Sequence, residues 1–235
     1  MLTIEHLTIC YSPSNPVLED ISFSAQPGES IAILGANGSG KTSLLLALTG
    51  LIPSEGTIEL NDIHLSPKTL KQFRQNIGFV FQNPDDQMFC STIYDDFAFG
   101  LQNMGLPENE IKERVDTCLD KFGLMSKSEY CAQNLSGGEK RLAALGTVLV
   151  MNPKLLLLDE PTSFLDRNAR IQLETALQAT DQTKLIVTHD IHFAARMCQR
   201  VILLGNHNIQ ADGLASELLH NAQLLNRFGV DAIDE

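Results

Sequence analysis

An α/β fold is predicted: a core on a mostly parallel sheet, a small antiparallel β portion beside it, and an inserted helical lobe. Three observations carry this reading. Two apolar runs of strand length, Ser30 to Leu34 and Leu155 to Leu158, suit strands buried on both faces of a parallel sheet rather than half-exposed ones. The first is followed by helix formers at Leu44 to Leu48, which is the strand-then-helix alternation of α/β folds. Pro84 to Val150 is mostly helical in pattern, broken at Gly105-Leu106-Pro107 and at Ser126 to Asn134, and gives the lobe.

Composition limits the function classes. A chain of 235 residues with 43% hydrophobic and 20% charged residues forms a core, as one large domain or two joined lobes. We expect a single domain, with residues 1–83 and 151–235 as core and 84–150 as lobe. No apolar run reaches the roughly 18 residues a bilayer span needs, because Asn152, Pro153 and Lys154 interrupt Leu142 to Leu158. The first residues carry Glu5 and no basic start before an apolar stretch, so no secretory signal is read and a cytoplasmic location is expected. Five scattered cysteines without a CxxC pair point to free thiols rather than disulfides or zinc. A net charge of −12, with Lys140-Arg141 as the longest basic cluster, disfavours nucleic acid as a partner.

Taken in order, the elements carry a consistent chemistry. Ser30 to Leu34 runs into Gly35-Ala36-Asn37-Gly38-Ser39-Gly40-Lys41-Thr42, a glycine-rich phosphate loop between strand and helix. Gly35, Gly38 and Gly40 let the backbone turn its N–H groups inward, and the helix N-terminus adds partial positive charge. Lys41 would then reach the outer phosphates, and the Thr42 hydroxyl, followed by Ser43, would ligate Mg²⁺. Thr57 to Leu60 alternates polar and apolar residues into an Asn61-Asp62 turn, the small antiparallel portion. Leu155 to Leu158 ends in Asp159-Glu160-Pro161. A carboxylate at the end of such a strand lies on the same sheet edge as the phosphate loop, so Asp159 would hold Mg²⁺ and Glu160 would address an attacking water. His189 and His192 have no third ligand at a useful spacing, and Asp85-Asp86 and Asp95-Asp96 read as solvated helix starts.

The phosphate loop, Leu135-Ser136-Gly137-Gly138-Glu139 and Leu155 to Pro161, in that order, resemble the ATP-binding subunits of ABC transporters across the whole chain. The resemblance implies a P-loop NTPase core of the ABC ATPase fold, with ATP and Mg²⁺ as cofactors. It implies that Ser136, Gly137 and Gly138 complete the γ-phosphate site of a second ABC ATPase subunit, either an identical chain or a paralogue. It places Gln82 in the loop that senses Mg²⁺ and water, His189 as the histidine that contacts the γ-phosphate, Asp166 along the dimer seam, and Tyr11 against adenine. Glu139 replaces the usual glutamine, Leu142 the usual arginine, with Arg141 one place earlier, and Phe164 a small residue; the salt bridge normally made by that arginine is thereby in doubt.

Phe79 to Phe89 and Thr92 to Gly100 look like the ATPases of energy-coupling-factor importers, which take up nickel, cobalt or vitamins such as biotin. That likeness implies a transmembrane coupling protein and a substrate-binding membrane component as partners, and a place on the cytoplasmic face of the cell membrane. The short stretch after the Gly205 to Gly213 hairpin favours a dedicated nickel/cobalt or biotin system. The alternatives are a soluble ABC-type ATPase acting as an assembly or scaffold factor, or an exporter ATPase.

Overall fold

The computed structural model describes residues 1–12 and 15–233. Two sheets share the molecule. The first is antiparallel, in the order β2-β1-β4-β5, and contains β1 (Leu2–Ser12), β2 (Asn15–Ala25), β4 (Ser54–Leu60) and β5 (Ile63–His64). The second has six strands in the order β10-β9-β3-β8-β7-β6. Its parallel part is β3 (Ser30–Leu34), β6 (Ile77–Val80), β7 (Leu155–Asp159), β8 (Thr183–Val187) and β9 (Arg200–Gly205). At one edge β10 (Asn208–Leu214) pairs antiparallel with β9.

Helices α1 (Lys41–Leu48), α2 (Leu70–Arg74), α6 (Arg167–Gln178), α7 (Ile191–Met197), α8 (Ala215–Leu218) and α9 (Ala222–Arg227) belong to the core. Between β6 and β7 the chain builds α3 (Ile93–Asn103), α4 (Glu108–Lys121) and α5 (Gly137–Leu149).

Side-chain alternation sends the residues of β3 and β7 to two packed faces, which is why Ile31 to Leu34 and Leu155 to Leu158 are wholly apolar. Ile31 and Ile33 of β3, with Leu155 and Leu157 of β7, face α1 and the antiparallel sheet; Ala32, Leu34, Leu156 and Leu158 face the helices on the other side. Both faces are packed, so all four leucines are buried. A third cluster, around Ile93, Phe97, Leu101, Val115 and Leu119, holds α3 and α4 together. Helix α5 joins the two bodies, because Leu142, Leu145 and Val148 pack into the core cluster while Ala143 and Ala144 pack into the α3–α4 cluster.

The antiparallel sheet is larger than the sequence suggests. Beyond the expected β4, which turns at Asn61 and Asp62 (φ 48° and 64°), the long pair β1–β2 was not anticipated. Its apolar alternation slips one place at a bulge: Leu2 and Ile4 precede the shift and Leu7 and Ile9 follow it. His6 sits in the bulge at φ 51°, and only a residue without Cβ fits opposite, since a Cβ on Gly56 would come 2.4 Å from the His6 carbonyl oxygen.

Candidate functional site

Topology gathers the chemistry on one edge. The loops after β3, β8, β7 and β6, which are neighbours in the sheet, carry the phosphate loop, His189, Asp159–Glu160 and Gln82. Between them lies a cleft of about 620 Å³, lined by Tyr11, Asn37, Gly38, Gly40, Lys41, Thr42, Ser43, Gln82, Asp159, Glu160 and His189, and also by Val17, Ser163 and Val187. The last three were not expected from the sequence; Val17 and Val187 look there like ordinary strand residues.

The phosphate loop is shaped for an anion. Gly35 adopts φ 149°, and a Cβ there would lie 2.4 Å from the Leu204 carbonyl oxygen. Gly40, at φ 94°, is the N-cap of α1 and offers no side chain to its first N–H groups, so those donors are available to a phosphate. The Ser39 hydroxyl is buried without a partner. The Lys41 ammonium is buried and donates to the carbonyls of Gly35 (2.7 Å) and Ala36 (2.9 Å). Burial holds its pKa below the ordinary lysine value, against the pull of Glu160 and Asp159.

Opposite stand two carboxylates in different surroundings. Asp159 is 4% exposed and accepts a 2.9 Å hydrogen bond from the Thr42 hydroxyl, which sets two hard oxygen ligands side by side as Mg²⁺ requires. Burial raises its pKa, while the Thr42 hydrogen bond and Lys41, Arg141 and His189 lower it. Glu160 is 8% exposed and its pKa is pushed up to about 7, first by burial, against the His189 backbone N–H and Lys41. That N–H reaches one carboxylate oxygen at 3.3 Å. The His189 Nε2 is 3.3 Å from the other oxygen but not aligned as a hydrogen bond, so that oxygen is buried without a donor. The His189 pKa lies below its ordinary value through burial and Lys41, with Asp159 opposing.

Glu160 also has a left-handed backbone, φ 45°, held by its N–H on the Val187 carbonyl at 2.9 Å. Such a conformation costs ~1–3 kcal/mol for a residue with a side chain. A carboxylate near neutrality in its pKa, with a free oxygen facing a phosphate loop, can accept a proton from water. Tyr11 stands at the rim, exposed, its hydroxyl 3.1 Å from the Ser43 hydroxyl. These features fit a Mg²⁺-bound nucleoside triphosphate.

Ser136, Gly137, Gly138 and Asp166 do not join that cleft. Ser136 caps α5 and forms a capping box with Glu139: the Glu139 N–H donates to the Ser136 hydroxyl, and the Ser136 N–H donates to the Glu139 carboxylate. The same hydroxyl lies 2.9 Å from that carboxylate, and Lys127 pairs with it from the other side. Gly138 packs on α6, where a Cβ would lie 2.6 Å from the Ala169 Cβ, whereas Gly137 faces open space. Asp166 accepts from the Ala169 N–H and caps α6.

The three departures have distinct settings. Glu139 completes the capping box; Leu142 is buried in the core cluster, where a charge would be unpaired; Phe164 is 96% exposed at φ 63°. The doubtful arginine contact resolves into something else: Arg141 makes no ion pair among the described residues and instead donates to backbone carbonyls of the Gln82 and Ser163 loops. Its signal in the sequence was a cation beside the apolar run Leu142 to Leu145. Among the described residues no three His, Cys, Asp or Glu side chains come together as a metal site, and no helix is long and apolar enough to cross a membrane.

Comparison with known proteins agrees with this geometry. Residues 18–163 match the family described as ABC transporter. An ABC transporter ATP-binding protein of Geobacter sulfurreducens is 41% identical over 96% of this chain and 91% of its own length. The energy-coupling factor transporter ATP-binding protein EcfA of Methanothermobacter thermautotrophicus is 36% identical over 97% of this chain and 75% of its own. Among solved structures, cbiO1 of Clostridium perfringens, part of the ABC transporter complex cbiONQ, superposes with a TM-score of 0.85 at 34% identity, covering 96% of this chain and 93% of that one. The ATP-binding cassette MJ0796, in a dimeric post-hydrolysis state with ADP and Pi, gives 0.81 at 25% identity, covering 92% and 99%. With the family model matching residues 18–163 and relatives more than 30% identical across nearly the whole chain, the chain belongs to the ABC transporter family as one of its ATP-binding, ATP-hydrolysing domains.

Proposed function

We propose that the chain is the ATPase subunit of an energy-coupling-factor type importer for nickel, cobalt or biotin. It acts at the cytoplasmic face of the membrane with a transmembrane coupling protein and a substrate-binding membrane component. The observation that carries the reading is the likeness, at 36% identity over 97% of the chain, to a protein named for that transporter type. In it the chain works as one domain, a core of residues 1–83 and 151–235 with a lobe of 84–150.

In this reading Tyr11 stacks on adenine, and the N–H groups of Gly35 to Ser43, with Asn37, Ser39 and Lys41, hold the phosphates. Thr42, Asp159 and Gln82 would hold Mg²⁺, which would supply positive charge against the phosphates. Water attacks the γ-phosphorus as the bond to the β-phosphate oxygen breaks, and Glu160 takes the water proton while His189 steadies the γ-phosphate. Ser136, Gly137 and Gly138 reach the γ-phosphate held by a second subunit, identical or paralogous, and Asp166 lies along that seam. Opening and closing of the pair drives the membrane partner.

The test is purification of the tagged chain from native membranes, followed by uptake of labelled nickel, cobalt and biotin with wild-type or Glu160→Gln protein. Uptake of one of the three, lost in the variant and accompanied by co-purifying membrane proteins, is expected. Uptake of all three at wild-type levels in the variant would contradict the reading.

A further inference from the structure

Arg141 is the largest fully buried side chain among the described residues, 2% exposed, and among those residues it makes no ion pair; its terminal nitrogens donate to backbone carbonyls. A buried cation without a partner is expensive. Asp159 acts on it as a longer-range opposite charge, and its hydrogen bonds go entirely to backbone. One terminal nitrogen donates to the Phe81 carbonyl at 2.9 Å; the other donates to the Gln82 carbonyl at 2.6 Å and, at 3.4 Å, to that of Ser163. The Nε–H is buried and unpaired, so the fork is aimed at these oxygens at some cost.

Those carbonyls are not arbitrary. Phe81 and Gln82 bracket the backbone dihedrals of Gln82, and a planar guanidinium gripping both fixes the direction in which the Gln82 side chain leaves the chain. Gln82 itself is exposed and lines the cleft with Thr42 and Asp159, so its own packing does little to orient it. Arg141 stands on α5, the helix whose first turn carries Ser136 to Gly138. Other bonds hold the loop further along: Gln87 donates to the Ala144 carbonyl, and Lys140 pairs with Asp85. Of the α5 side chains, Arg141 alone bonds the Gln82 peptide among the described residues.

We propose that Arg141 is a positioning residue for hydrolysis, which sets Gln82 toward the Mg²⁺ ligands and ties that setting to the helix bearing Ser136. The inference rests on the reading of Gln82 as a Mg²⁺-directed group. A lysine keeps charge and most of the bulk but concentrates its donors on one nitrogen, so it cannot hold carbonyls spread along two loops.

The experiment is a double-mutant cycle on the full chain with Arg141→Lys, Gln82→Ala and the pair, reading ATP turnover per folded protein, Mg²⁺ dependence and ATP affinity. Arg141→Gln is carried in parallel in case the lysine variant folds poorly, and Arg114→Lys, a surface ion pair on α4, is the control. Arg141→Lys is expected to lower kcat about tenfold or more and raise the Mg²⁺ needed for half-maximal rate, with ATP affinity within about threefold. In the Gln82→Ala background it adds less than about twofold, because it acts through Gln82. Independent, multiplicative effects, or an unchanged Mg²⁺ dependence in both Arg141 variants, would overturn the proposal. A fully active Gln82→Ala would instead overturn the reading of Gln82 beneath it.

Discussion

The strand-edge cleft and the first turn of α5 both present groups suited to phosphate, yet they are built in opposite ways. In the cleft Lys41, Asp159 and Glu160 are buried, brought together from the start of α1 and the end of β7, and shifted in pKa by burial. At α5 the side chains of Ser136, Glu139 and Lys127 satisfy one another, and Gly137 looks onto open space. The cleft is preorganised for chemistry and lacks a cover. The α5 turn is locally capped and stands outside that cleft. On the proposed function each is half of a site, since Ser136 to Gly138 stand outside the cleft lined by Lys41 and Glu160.

The sharpest way to break this comparison is at Glu160. Glu160→Gln is expected to lower ATP turnover by ~10²–10⁴ in a steady-state phosphate-release assay while ATP affinity by calorimetry changes little. Near-normal turnover would remove Glu160 from the chemistry. The wild-type rate should also rise with pH through about 7, the pKa to which burial pushes Glu160, since the base works ionised.

Stability offers an independent reading of the same burial. Between its ordinary value of 4.5 and about 7, the folded protein keeps the Glu160 proton while the unfolded chain has lost it, so this residue lowers stability as pH rises across that window. In nucleotide-free protein with EDTA, Glu160→Gln should therefore gain up to ~3 kcal/mol over wild type at pH 8 and almost nothing at pH 4. Urea melts at the two pH values measure it, and equal gains would contradict the burial argument.

The two glycines of the α5 turn sharpen the other half. Gly138→Ala should destabilise by about 1–3 kcal/mol, because the new methyl meets the Ala169 Cβ. Gly137→Ala should leave the melting curve within about 1 kcal/mol of wild type yet reduce turnover, since on the proposed function the space it fills faces the second subunit. If Gly137→Ala is as active as it is stable, that space is not used. Smallest is Tyr11→Ala, expected to weaken ATP binding by about 1–2 kcal/mol in calorimetry, with GTP affected alike if stacking alone is lost.

Much of the cleft was legible because its motifs are contiguous and its strands short and largely apolar. Ser30 to Leu34 and Leu155 to Leu158 lie in strands as expected, and the acid pair and phosphate loop meet because parallel strands deliver their ends to one edge. What stayed hidden depends on long-range contact. The β1–β2 pair was masked by the bulge at His6, which throws its alternation out of phase. Gly138 reads as a phosphate-binding glycine, though in this chain it also lets α5 rest on α6. Arg141 read as a displaced charge, and only the fold shows that two loops bring their carbonyls to it.

The central claim is that one chain carries two half-sites that work on different molecules. Mixing Lys41→Ala with Ser136→Arg tests it most directly. Each variant alone is expected to be nearly inactive, while the mixture pairs an intact cleft from one with an intact α5 turn from the other. Turnover in the mixture should rise well above the sum of the two, toward roughly a quarter of wild type if pairing is random and the two sites act independently. A mixture no more active than its parts, or a fully active Ser136→Arg, would contradict the account.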